Sequence, residues 1–260
     1  MAKNWTAIVL AGGRGPDDPM AKAYGVSHKC VLPVNGVPML RRVVDALQKS
    51  QSIASIAISI ESPAIVREAL AEKVSGIAVI SSETSAPLSA IVAIRKNSAF
   101  PVLITTADHA LLTPEMVDYF CEHAGRNGAD FSAGLARAEV ILKTYPQSIR
   151  TFFKFKQDRV SGCNIFDVHT GKGLRILEQW QYLEAVRKNP WRLVAAFGPL
   201  ALMRFLLGTM SLDDVFALVS KRLGLIARPI LMPFAEAAID VDKPADLDLA
   251  ETILRSRTPL

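Results

Sequence analysis

The chain has 260 residues, half of them hydrophobic and 21% charged, a composition that builds a core and excludes a disordered or low-complexity protein. Its formal net charge is +5, with no Lys/Arg block of five and no interleaving of basic with aromatic residues. That excess suits a small anionic ligand, a nucleotide or phosphate ester, rather than nucleic acid. Cys30, Cys121 and Cys163 are odd in number and form no CxxC pair, which argues for reduced thiols in a cytoplasmic protein over a disulfide framework or zinc site.

The N-terminus, MAKNWTAIVLAGG, has too short an apolar run for a signal peptide. Short apolar, β-branched runs then alternate with helical patterns. Strands are expected over Thr6–Leu10, Ser55–Ile60, Ile77–Ser81 and Val102–Thr106, and helices near Pro38–Lys49, Pro63–Lys73, Pro87–Lys96 and Pro114–Arg126. Each helix opens at a proline, whose missing N–H costs nothing in a first turn. The alternation argues for βαβ units, a mostly parallel sheet and helices on both faces.

From about Asp130 to Val168 the pattern shifts to longer strands, with a hairpin expected near Asp158. Residues Leu174–Leu223 read as helical, interrupted near Asn189-Pro190 and Gly208. Within them Leu193–Gly208 is strongly apolar, yet it is shorter than the roughly 20 residues of a membrane span and contains Arg204. It is expected to form a buried helix pair, with peripheral membrane contact the lesser alternative. The stretch AAIDVDKPADLDLAETIL is expected to be a last short strand entering a C-terminal helix.

In an open parallel sheet, ligands bind beyond the carboxyl ends of the strands, where strand order reverses. Residues just after each expected strand are therefore the informative ones. The first strand is followed by Gly12, Gly13, Arg14 and Gly15, the fourth by Asp108, and the last carries Asp240 and Asp242. Glycines let backbone N–H groups approach an oxyanion, Arg14 offers a forked donor, and Lys29 a point charge. The loop fits neither GxxxxGK[ST] nor GxGxxG, because Asp18 stands at the third glycine position. A carboxylate at a buried strand end suits Mg²⁺, which is commonly shared between protein and phosphate. Asp240 and Asp242 alternate with Val241 and so share a face on an extended chain. Asp242 also suits a helix cap ahead of Pro244, and only one of the two aspartates need reach a metal. No covalent nucleophile stands out.

Taken together, LAGGRG…HKCVLPVNGVPML, TTADHALLTPEMVDYF and AIDVDKPADLDLAE resemble, in order, three motifs of the MobA-like nucleotidyltransferases. The resemblance implies a Rossmann-like three-layer α/β/α fold of the GT-A type with a mostly parallel mixed sheet. It implies one domain, with a nucleotide-binding half over residues 1–128 and an acceptor-binding half over 129–260. It further implies Mg²⁺-dependent transfer of NMP from an NTP, CTP or GTP favoured, to a phosphorylated small molecule, with release of pyrophosphate. Leu10, Ala11, Gly12, Gly13, Arg14 and Gly15 would hold the nucleotide, with Arg14 and Lys29 catalytic. Thr84, Ser85 and Ser89 would read the base, and Asp108 and Asp242, or Asp240, would hold the metal. Two departures stand out: the stretch from Gly15 to Lys29 is longer than usual in the family, and His28 stands where many members have proline. Lys143, Arg150, Lys154, Lys156 and Arg159 suit either an anionic acceptor or a solvated face. The alternatives are a GT-A glycosyltransferase, for which Ala107–His109 lacks the usual DxD, and a non-catalytic nucleotide sensor.

Overall fold

The computed structural model describes residues 4–97, 100–186, 198, 203–204 and 207–257. Most of the apolar 190–208 segment lies outside the described residues. The first strand, β1 (Trp5–Leu10), is almost wholly buried, as a near-continuous apolar run requires when both faces are covered. Its alternate residues separate cleanly. Trp5, Ala7 and Val9 enter one core layer, whereas Ile8 enters the other.

On one side β1 pairs in parallel with β4 (Ile53–Ile60), which pairs in parallel with β5 (Ile77–Ser81). On the other side it pairs in parallel with β6 (Val102–Thr106). Strand order therefore reverses at β1. Beyond β6 comes β9 (Arg159–Val168), antiparallel to both its neighbours, then β7 (Phe131–Arg137) and β10 (Ala227–Met232). The order is β10-β7-β9-β6-β1-β4-β5, a mostly parallel mixed sheet, and β2 (Pro33–Val34) and β3 (Val37–Pro38) form a separate antiparallel pair. Helices Met39–Lys49, Pro63–Leu70 and Pro114–Arg126 supply one core layer, in which Phe120 is fully buried. Burying one such side chain contributes roughly 1.5–3 kcal/mol. Helices Ala86–Asn97 and Leu174–Val186 cover the opposite face.

The expected early elements are present to within a few residues. Pro63 and Pro114 stand in their first helical turns, and the Thr113 hydroxyl caps the helix that follows by accepting from the Met116 N–H at 3.3 Å. The hairpin is present too: β8 (Phe153–Lys154) pairs antiparallel with the start of β9 across a turn closed by Phe155 N–H to the Asp158 carbonyl, 2.7 Å. One expectation fails. The residues after Ala238 form no strand. The last strand is β10, and a 3₁₀ turn at Ala235–Ala238 then leads into an irregular crossing segment. A backbone bond, Val241 N–H to the Asp108 carbonyl at 3.1 Å, ties that segment to the end of β6. It is held by burial instead of by a ladder: Ile239 and Val241 are fully buried and pack with Leu247, Ala250 and Ile253 of the C-terminal helix Pro244–Arg257.

Candidate nucleotide-binding site

At the strand-order reversal, the carboxyl ends of β1 and β6 face a cleft of about 360 Å³. Leu10, Ala11, Gly12, Gly13, Arg14, Gly15, Lys29, Asp108 and Asp242 all line it. Gly12 is there because space forbids anything larger. A Cβ at that position would lie 2.7 Å from the Ser82 Cβ, so only glycine lets the loop pass the end of β5. Gly13 donates its N–H to the Glu61 carboxylate at 2.5 Å. This amide therefore already faces an anion.

The long stretch between Gly15 and Lys29 is accounted for by structure. It forms a 3₁₀ turn at Gly15–Asp17 and a short helix, Pro19–Tyr24, capped by Asp18, whose carboxylate accepts from the Met20 N–H at 2.9 Å. The chain then reverses at Gly25 in the left-handed region, φ 65°, and returns to the cleft. Lys29 arrives between the two aspartates. Its ammonium donates to Asp108 Oδ2 at 2.8 Å and to Asp242 Oδ1 at 2.5 Å. Asp108 is further oriented by the Thr106 hydroxyl, which donates to Oδ1 at 2.6 Å.

Burial would lower the Lys29 pKa, but Asp108 and then Asp242 outweigh it and hold the ammonium above the ordinary lysine value. Burial would likewise raise Asp242, yet the hydrogen bond and charge of Lys29 leave it below the usual carboxylate range. His109, buried behind Asp108, is pushed down to about 4 by burial, so its ring is neutral near pH 7.

Asp240 does not join the pair on Lys29. One of its carboxylate oxygens meets the Arg150 guanidinium, and the other accepts from Asn164 Nδ2 at 3.2 Å. Burial is the largest influence on its pKa, which is raised with help from Asp242 and Asp108 against the pull of Arg150. The i, i+2 spacing does bring the two aspartates close, but each has its own cation.

Two carboxylate oxygens from distant parts of the chain thus converge on one cation beside a phosphate-sized cleft. This donor set fits Mg²⁺, which commonly takes one or two carboxylates and completes its shell with substrate phosphates and water. Among the described residues no group of three or more His, Cys, Asp or Glu side chains forms a cage.

On the other side of the glycine loop lies a larger cleft of about 820 Å³, sharing Leu10, Gly12, Gly13 and Arg14 with the first. Thr84, Ser85 and Ser89 line it with Ser59, Glu61 and Ser82. Ser89 is buried, and its hydroxyl accepts from the Glu83 N–H at 2.8 Å, while Ser85 accepts from the Leu88 N–H at 3.4 Å. These two serines build the loop as well as line it.

Among the basic residues of the second half, Lys156 and Arg159 line a separate cleft with Arg137 and Phe155. Arg150 is instead turned inward, its side chain 9% exposed and bound to Asp240 and Asp246. Sequence reading missed Glu61 and Ser82. Both follow parallel strands, β4 and β5, and the rule that directs attention to strand ends reaches them.

A profile of the MobA-like NTP transferase domain matches residues 7–160. None of the curated protein sequences matches the chain significantly. Among solved structures, a hypothetical transferase from Thermus thermophilus is 26% identical with a TM-score of 0.80, the match covering 95% of this chain and 100% of that one. A CMP:2-keto-3-deoxy-manno-octonic acid synthetase complexed with CTP is 11% identical, TM-score 0.59, over 99% and 100% of the two chains. A 4-diphosphocytidyl-2C-methyl-D-erythritol synthase from Anaerococcus prevotii is 12% identical, TM-score 0.62, over 97% and 99%. The last two are similar in fold.

Proposed function

The chain belongs to the MobA-like NTP transferase family and is a nucleotidyltransferase, and we propose that it transfers NMP from CTP or GTP to a phosphorylated small molecule with release of pyrophosphate. The observation that carries this reading is the meeting of Lys29, Asp108 and Asp242 beside the glycine loop, at the strand-order reversal.

In this reading the Gly12 and Gly13 amides and the Arg14 guanidinium hold the triphosphate, and the base enters the larger cleft toward Thr84, Ser85 and Ser89. Asp108 and Asp242 hold Mg²⁺, which when bound neutralises phosphate charge. Lys29 is released from its two carboxylates to face the α-phosphate. A phosphate oxygen of the acceptor attacks the α-phosphorus as the α–β bridging bond breaks, so one P–O bond forms, one is lost, and pyrophosphate leaves. Such transfers depend on position and charge, so the chain needs no covalent nucleophile.

The test is pyrophosphate release with Mg²⁺, each of the four NTPs and a panel of phosphorylated sugars, polyols and molybdopterin, beside D108A. Release that needs one NTP and one acceptor and is lost in D108A supports the reading. Release undiminished in D108A overturns the assignment of the site. Among the described residues no helix is long and apolar enough to cross a membrane. The three free, buried cysteines support a cytoplasmic setting for the proposed reaction.

A further inference from the structure

The segment that carries Asp242 belongs to no strand, so something other than a ladder must hold its carboxylate in place. The structure supplies a two-residue clamp. Asp246, in the first turn of the C-terminal helix, accepts with Oδ2 from both the Asp242 N–H, 3.2 Å, and the Lys243 N–H, 3.0 Å. Its other oxygen accepts from Arg150 Nη2 at 3.3 Å. The same Nη2 donates to the Asp240 backbone carbonyl at 3.0 Å, and Nη1 meets the Asp240 carboxylate. One buried guanidinium thus grips the chain before Asp242 and, through Asp246, the chain after it. Arg150 lies 90 and 96 residues from the two acids it joins.

We propose that Arg150 and Asp246 are positioning residues for metal binding: they orient Asp242 so that its carboxylate and that of Asp108 can share one divalent cation. The inference rests on the reading of Asp108 and Asp242 as metal ligands. The chemistry of the clamp is specific. A planar guanidinium holds a carboxylate and a carbonyl in one fixed fork geometry, whereas an ammonium is a point charge that imposes no such geometry. An aspartate can accept on both oxygens, whereas asparagine offers one acceptor and so cannot serve both Arg150 and the two backbone amides. Partners that orient a ligand typically govern metal affinity by 10- to 100-fold.

The experiment uses the full chain with Mn²⁺ and α,β-methylene CTP or GTP, whichever binds, and reads free Mn²⁺ by electron paramagnetic resonance. R150Q, R150K, D246N and D242N are compared with the wild type, and nucleotide affinity is measured separately in EDTA. Loss of Mn²⁺ binding in D242N, with at least about tenfold weaker binding in R150Q and D246N and unchanged nucleotide affinity in EDTA, is the expected result. If D242N loses Mn²⁺ while R150Q and D246N bind it as the wild type does, the clamp is refuted and the ligand assignment stands. If D242N itself binds Mn²⁺ normally, the ligand assignment falls, and the clamp with it. Should R150Q melt below the assay temperature, D246N decides the matter, with R150K as the milder arginine variant.

Discussion

Gly13 and Glu61 meet at 2.5 Å, an amide of the glycine loop donating to a carboxylate from the end of β4. The loop proposed to receive phosphates therefore binds an internal anion. A nucleotide would have to displace Glu61 or bind beside its charge. Replacing the carboxylate by a neutral amide, E61Q, keeps the acceptor and removes the repulsion. NTP binding should tighten by roughly three- to tenfold at low ionic strength, and by less at high salt. Isothermal titration at two salt concentrations reads this directly. Weaker binding in E61Q would mean that Glu61 contacts the nucleotide instead of competing with it.

Lys29 links two aspartates that otherwise face each other across the cleft. Removing its charge while keeping most of its length, in K29M, leaves those carboxylates without their shared cation and the α-phosphate without a donor. Pyrophosphate release should fall by about 100-fold or more, as when one preorganised electrostatic group is lost. Because the Lys29 ammonium occupies the same Asp108 and Asp242 oxygens that a cation would use, its removal frees them, and K29M should bind Mn²⁺ no more weakly than the wild type. A kcat within threefold of wild type would remove Lys29 from the chemistry.

The close approach of Gly12 to Ser82 gives a steric prediction. Alanine at position 12 would set two Cβ atoms 2.7 Å apart, and neither belongs to a flexible chain end. G12A should cost about 1–3 kcal/mol, lowering Tm by roughly 2–10 °C. In an S82G background the obstructing atom is gone, so the same substitution should cost much less, and differential scanning calorimetry of the four proteins gives the coupling. Equal costs in both backgrounds would show that the contact is not what demands glycine.

Much of this architecture is legible in the chain because its signals are local. The strand runs of the first half are continuous and apolar, prolines mark helix starts, and Thr113 sits one residue ahead of Pro114. Lys29, Asp108 and Asp242 are legible as members of motifs, although their meeting spans separations of 79 and 213 residues that no local pattern encodes. Arg150 is the instructive miss. In sequence it is one of several basic residues near a hairpin, and nothing local distinguishes it from its solvated neighbours. Only the folded chain turns it inward to Asp240. The failed strand after Ala238 has a similar origin. The alternation of Ile239, Val241 and acidic residues reads as period two, yet its partner is a helix-packed core, so burial holds it extended without a ladder.

A final prediction concerns stability away from the cleft. Asp118, on the helix Pro114–Arg126, accepts from the Ser50 hydroxyl at 2.6 Å, the Ser52 hydroxyl at 2.8 Å, and the N–H groups of Gln51 and Ser52 at 3.2 and 3.0 Å. These bonds tie the helix to the turn that launches β4. Burial works to raise the Asp118 pKa, but the serine hydroxyls and backbone amides outweigh it and leave the pKa below its ordinary value of 3.8. A depressed carboxylate stabilises the fold fully above its unfolded pKa and loses that contribution as pH falls through the folded value. D118A should therefore cost about 2 kcal/mol at pH 7, or roughly 4–8 °C in Tm, the scale of hydrogen bonds to a charged group. Below pH 3.8 the gap between D118A and wild type should narrow as the wild-type carboxyl takes up its proton. Thermal melts of both proteins between pH 7 and pH 3 test the sign, and a gap that widens toward acid would refute the carboxylate as the stabilising form.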